Sequence, residues 1–145
     1  MSSFLQKILA PTDFSETSQK GLEYALKMAK FHEAELILLY VVEPLVTNPL
    51  MGHAVQMAAE IEAEMEEQGK IKLEEVSKEW NYDKLRLIVR RGSSYQVILD
   101  VAQEENIDLI VIGTHGRSGI SHFLLGSTAE KVIRKANCPV LTIRG

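Results

Sequence analysis

The sequence predicts an α/β fold: a single open, mainly parallel five-stranded sheet in the order 3-2-1-4-5 with helices on both faces, Rossmann-like in plan. Three observations predict it. Short apolar runs alternate with longer segments of helical period, which is the pattern of repeated strand and helix units. The apolar runs are rich in Ile, Val and Leu, as strands covered on both faces are. The chain has 145 residues, 46% hydrophobic and 25% charged, the size and composition of one domain with its own core. Residues 1–145 therefore read as one domain, without a linker, internal repeat or low-complexity tract.

"KILA" (7–10) is the first strand, and "APTDFS" is the turn that leaves it. The first helix is expected over about 15–32, with Leu22, Ala25, Leu26 and Ala29 on one stripe. "ELILLYVV" (35–42) is the second strand. "EPLVTNPLMGH" (43–53) follows, a long loop with two prolines and a glycine that is placed to act as a flap. Ala58, Ile61, Met65, Gly69, Leu73, Val76 and Trp80 recur at helical spacing along the second helix, and the acidic run "EIEAEMEEQGK" is its wet face. "LRLIV" (85–89) and "DLIVIG" (108–113) are strands three and four, separated by the helical "SYQVILDVAQEE". The fourth helix, "STAEKVIRKA", places Ala129, Val132, Ile133 and Ala136 inward, and "PVLTIR" (139–144) is strand five.

Four helices divided evenly over two faces, with right-handed crossovers, lead to the order 3-2-1-4-5. Strands one and four then lie side by side, and the strand order reverses between them. In such sheets a ligand binds outside the carboxyl ends of the strands at the reversal. The turn "APTDFS" and the segment "GTHGRSG" meet there.

Composition removes other classes. Sixteen Lys and Arg against 20 Asp and Glu give a net charge of −4, so there is no overall positive field for a nucleic-acid backbone. The single cysteine, Cys138, has no internal disulfide partner and no zinc-site spacing, which fits a reducing compartment. The opening residues lack the regions of a signal peptide, and no apolar run approaches the ~20 residues that cross a bilayer. The expectation is a soluble cytoplasmic protein, with no membrane and no nucleic acid among its partners.

The stretch "GTHGRSGISHFLLGSTAEKV" (113–132) carries the densest signal. Gly113, Gly116 and Gly119 lie in the loop after strand four, and Gly126, Ser127 and Thr128 open helix four. Bare backbone N–H groups in such a loop and in the first turn of a helix bind anions, with the helix dipole adding to the attraction. Phosphate is the guest this chemistry suits. Ser127 or Thr128 can offer a hydroxyl to it, and Arg117 or His115 a charge or donor. "LLGST" lacks the lysine of a Walker loop, and the turn after strand one lacks the glycines of the dinucleotide fingerprint.

"GTHG", nine residues and then "GS" resembles the G-x-x-G-x9-G-[S/T] motif of the universal stress protein family, in its ATP-binding branch. The resemblance extends to "ILAPTDFSETS", "LILLYVVE" and "NCPVLTIR", and so to essentially the whole chain. It implies an ATP-binding protein, usually a homodimer, with roles in stress survival and regulation; no acid-base pair stands out in the sequence, so the expectation is at most a weak ATPase. Carried over by position, Gly113, Gly116, Gly126, Ser127 and Thr128 would hold ribose and phosphates. Asp13, after Pro11 and Thr12, would contact the adenosine part, and the backbone of Val41 would meet the adenine edge. Ile112, Thr114, His115 and Arg117 complete the set. Mg or Mn would enter only as an ion bridging the phosphates, and no residue is assigned a catalytic role.

Plainer readings stand beside these. Asp13, three residues before Glu16, also suits an N-cap in a capping box, and Ser127 suits a cap of helix four. His32, His53, His115 and His122 include no i,i+4 pair of the kind that holds zinc on a helix. Cys138 before Pro139 suits a small buried side chain. Strand five reads as a sheet edge, and an apolar edge invites pairing, so a two-fold homodimer through Pro139 to Arg144 is expected, with an unknown protein partner beyond it. Two other classes remain: an enzyme using an adenine nucleotide on a second substrate, and an interaction module without a nucleotide.

Overall fold

The structure, a computed structural model, describes residues 3–45, 48, 50, 52–115 and 125–145. In chain order the elements are β1 (Lys7–Thr12), α1 (Glu16–His32), β2 (Glu35–Val42), α2 (Gly52–Ser77), β3 (Leu85–Arg91), α3 (Ser94–Glu104), β4 (Leu109–Gly113), α4 (Ser127–Lys135) and β5 (Val140–Ile143). The strands form one parallel sheet in the order β3-β2-β1-β4-β5. Fold class and strand order agree with the sequence reading.

Alternation of side chains along the central strands divides the core in two. Ile8, Ala10, Leu36 and Leu38 face α1 and α2, where Leu22, Ala25, Ala29 and Leu73 cover them. Leu9, Ile37, Leu39 and Ile110 face α3 and α4, covered by Val97, Ile98, Val101, Ala129 and Val132. Because β1, β2 and β4 are buried on both faces, they read as continuous apolar runs rather than as alternating ones.

Ser15 caps α1, its hydroxyl accepting from the Ser18 N–H at 3.2 Å, and Glu33 ends the helix in the left-handed region at φ 55°. The Tyr82 hydroxyl ties that end down by donating to the carbonyls of Ala29 and Ala34. Gly92, at φ 145°, makes the turn from β3 into α3, where a side chain would also strike Val97.

Several local expectations are corrected. β3 stands at the sheet edge, as the order 3-2-1-4-5 requires, but it is not covered on both faces: Arg86 and Leu87 are exposed. α2 stops at Ser77, whose hydroxyl bonds back to the Leu73 carbonyl at 2.7 Å, so Trp80 lies beyond the helix while still packing on the core. Ile61 faces solvent. Ile133, expected inside, is 42% exposed because α4 turns only Ala129 and Val132 fully inward. β1 and β3 each run two residues further than their apolar cores, since ladder pairing continues through Thr12 and Arg91.

Candidate functional site

β1 and β2 pair from Lys7 with Glu35 to Thr12 with Tyr40, whereas the bridge partners of β1 and β4 are Ile8 with Leu109 and Leu9 with Ile110. Above that point the ends of β1 and β4 part, and a cleft of about 370 Å³ opens at the strand-order reversal. Its floor and near wall come from Pro11, Thr12 and Asp13 at the end of β1, with Ser18 of α1. Leu39 and Val41 of β2, with Glu43 just beyond it, form one side, joined by Ser94 and Ile98 of α3. Ile112, Gly113, Thr114 and His115 form the opposite side, and Gly126, Ser127, Thr128 and Ala129 close it from α4.

Every described residue of the candidate set therefore lines one cavity. Gly116, Arg117 and Gly119 lie outside the described residues, as does His122.

The β1 turn is built by side chains. The buried Thr12 hydroxyl accepts from the Phe14 N–H at 2.9 Å and meets the Ser18 hydroxyl at 2.9 Å. Asp13 accepts from the Ser15 N–H at 3.0 Å, an Asx turn that aligns the chain for entry into α1. The capping-box reading of Asp13 is thus corrected: Ser15 holds the cap position, and Asp13 is presented to the cleft. Phe14 takes φ 64°, an uncommon conformation for an aromatic residue, and its ring packs on Tyr40 at 4.8 Å between centroids.

On the other wall, Thr114 accepts from the Gly126 N–H at 2.5 Å while its own N–H donates to Ile143. The N-cap of α4 is Gly126, not Ser127, and Ser127 is the first residue of the helix. Gly126 has φ −63°, open to any residue, so its need for glycine is one of space: a Cβ there would lie 3.0 Å from the Thr114 oxygen and 3.2 Å from His115 Cα. The first intrahelical bond runs from the Glu130 N–H to Gly126, leaving the N–H groups of the preceding turn directed toward the cleft end of the helix. The His115 ring lies between the hydroxyls of Thr17, at 3.4 Å, and Thr114, at 3.2 Å.

Sequence reasoning missed Ser18, Leu39, Glu43, Ser94, Ile98 and Ala129 as lining residues. Ser94 donates to Glu43 at 2.9 Å across 51 positions of sequence, and no local spacing signals such a pair. The apolar members, Leu39, Ile98 and Ala129, belong to the core as well, so their apolar character alone does not mark them as lining a site.

Among the described residues no group of three His, Cys, Asp or Glu side chains is placed to hold a metal ion, and no helix is long and apolar enough to cross a membrane.

Comparison with known proteins decides the family. The model of the universal stress protein family matches residues 5–144. The chain belongs to the universal stress protein family. It is 36% identical over 143 residues to universal stress protein MJ0531 of Methanocaldococcus jannaschii, covering 96% of this chain and 82% of that one. It is 32% identical to universal stress protein MJ0577 of the same organism, over 99% of this chain and 98% of the relative. The solved MJ0577 structure superimposes with a TM-score of 0.84 over 99% of this chain and 98% of that one. A universal stress protein solved in complex with cAMP shares the fold at 22% identity, with a TM-score of 0.71 over 98% of this chain and 99% of that one. One from Archaeoglobus fulgidus, solved in complex with dAMP, does so at 21% identity and a TM-score of 0.58, over 97% and 98%.

Proposed function

We propose that this universal stress protein holds ATP in the cleft and acts as a nucleotide-dependent regulatory protein in the response to stress. One observation carries the reading. Residues singled out along the chain as a phosphate and adenosine set converge on a single cavity at the strand-order reversal. The cavity's 370 Å³ falls within the ~300–1,000 Å³ of small-molecule sites.

The lining fits a nucleotide from end to end. Leu39, Val41, Ile98, Ile112 and Ala129 give an apolar slot for a base. Asp13 supplies an acceptor, and the first turn of α4 offers backbone N–H groups with the Ser127 and Thr128 hydroxyls for phosphate. The absence of Cβ at Gly126 keeps α4 drawn against Thr114 and His115. When bound, ATP would supply a polyphosphate charge, held by the first turn of α4 with Ser127 and Thr128, and a divalent ion such as Mg or Mn would accompany those phosphates. The protein's part is to bind and orient it, and occupancy regulates by favouring one arrangement of the surrounding loops, with any hydrolysis slow. The exposed edge of β5 is the face through which two copies pair, in the cytoplasm. A solution mass of one chain at micromolar concentration would remove that pairing.

Calorimetric titration of nucleotide-free protein with ATP and magnesium tests the reading. Saturable binding near one ATP per chain is expected, lost in Gly126→Val while the far-ultraviolet dichroism spectrum is kept. No heat and no thermal shift in the unsubstituted protein would turn the assignment to an interaction module.

A further inference from the structure

The cleft has two ends of opposite electrical character. At one end the N-terminus of α4 carries partial positive charge. At the other, beyond β2, stands the carboxylate of Glu43. The Gly92 N–H donates to the Val42 carbonyl at 3.0 Å, which draws the β3–α3 turn against the end of β2 and brings Ser94 within reach of Glu43. Ser94 then donates to Glu43 Oε1 at 2.9 Å. One carboxylate oxygen is thereby held, and Oε2 takes no hydrogen bond among the described residues. Glu43, just beyond the end of β2, and Val41 within it both line the cleft.

β2 and β4 are separated in the sheet by β1 alone, roughly 10 Å where the ladders pair, and their ends stand further apart because β1 and β4 part at the cleft. A nucleotide with its phosphates at α4 spans that distance and sets its base, the part furthest from the phosphates, beside Val41 and Glu43. A carboxylate there repels phosphate and offsets the positive end of α3, which begins at Ser94, so it disfavours the reverse orientation. It accepts hydrogen bonds only, so it requires a donor on the base edge.

We propose that Glu43, positioned by Ser94, is a specificity residue that accepts a hydrogen bond from the exocyclic amine of the base, which makes adenine the preferred purine over one with no group at that position. The assignment rests on the cleft being a nucleotide site. Glu43 acts on the ligand directly; Ser94 is a positioning residue that acts through it. A charge-assisted hydrogen bond of this kind is worth on the order of ten- to a hundredfold in affinity.

The test compares Kd values for ATP and for purine riboside triphosphate, which lacks the amine, in the unsubstituted protein, Glu43→Ala, Glu43→Gln and Ser94→Ala. The unsubstituted protein is expected to prefer ATP about tenfold or more. The preference should fall most in Glu43→Ala, where only the Val41 backbone remains at that edge, less in Glu43→Gln, and partway in Ser94→Ala, with thermal unfolding reporting that each variant is folded. ATP binding with the same preference in all four proteins overturns the role of Glu43 and leaves the nucleotide site standing. A preference unmoved by Glu43→Ala alongside a changed ratio of ATP to 2′-deoxy-ATP overturns it as well, because it moves the contact to the ribose. Binding of neither triphosphate to the unsubstituted protein overturns both the site and this assignment.

Discussion

Gly69 in the middle of α2 lies against the ring of Tyr40 in β2, so close that a Cβ at position 69 would stand 2.6 Å from Tyr40 Cε2. The glycine is required by contact rather than by backbone conformation. Tyr40 packs in turn on Phe14, next to Asp13 in the cleft wall, so the seat of α2 and the β1 turn share one aromatic contact. Gly69→Ala should therefore lose stability. Overpacking costs about 1–3 kcal/mol, and the better helix propensity of alanine returns up to about 1 kcal/mol. A urea midpoint lower by an amount equal to ~1–2 kcal/mol is expected. A higher midpoint would mean that the Tyr40 ring swings aside freely.

Glu105 at the end of α3 accepts from Arg86 at 2.8 Å, and Arg86 also reaches Glu35 at 2.9 Å. The hydrogen bond from Arg86 holds the Glu105 carboxyl below its usual range, against a smaller effect of burial. A folded-state value below the unfolded one contributes stability above the unfolded value, and loses it as pH falls through the folded one. The groups are largely solvated, so the contribution is at most about 1 kcal/mol. Arg86→Ala should lower the urea midpoint at about pH 7 and lower it less at acid pH, once pH has fallen through the folded-state value of Glu105. A gap of equal size at both pH values would assign the loss to packing of the arginine stem.

Cys138 lies half-buried against the core cluster on the α3 and α4 side of the sheet, and burial, assisted by Asp108, pushes its thiol up from the ordinary value. The thiolate is the reacting form. Alkylation of the folded protein at about pH 8 should run several-fold slower than that of free cysteine, and recover in denaturant. Equal rates in both states would show an open thiol.

The Tyr82 hydroxyl donates to Ala29 and Ala34, linking the end of α1 to the segment that enters β2. Tyr82→Phe should cost ~1 kcal/mol. Burial raises the phenol above its ordinary value, so this contribution is complete below that value and is lost as pH rises through the folded one. An ultraviolet titration of the unsubstituted protein should contain a phenol step above the ordinary value, and Tyr82→Phe should remove that step. An unchanged titration would deny the hydroxyl its buried setting.

Strand and helix identities were legible because β1, β2 and β4 are covered on both faces and α1 on one, and each arrangement leaves its own period in the sequence. β3 was legible as a strand and, from the strand order, as an edge, but its half-exposed state was not, since its apolar residues match those of an inner strand. The cap positions slipped by one or two residues. Asp13, Ser15, Gly126 and Ser127 are all competent N-terminal residues, and the choice among them depends on backbone angles that the Thr12 and Thr114 contacts impose.

The linear pattern of residues was enough to determine the family, the five strands and their order, and the described glycine and hydroxyl positions that face the cleft. Those signals are local, carried by period, turn chemistry and a motif of fixed spacing. The tertiary structure alone decided that Glu43 and Ser94 meet at the far end of that cleft, that Gly126 is glycine for want of space, and that Gly69 seats α2 on Tyr40. Each is a contact between residues far apart in sequence or across a turn. Such distances depend on how whole elements pack, and no spacing along the chain encodes them.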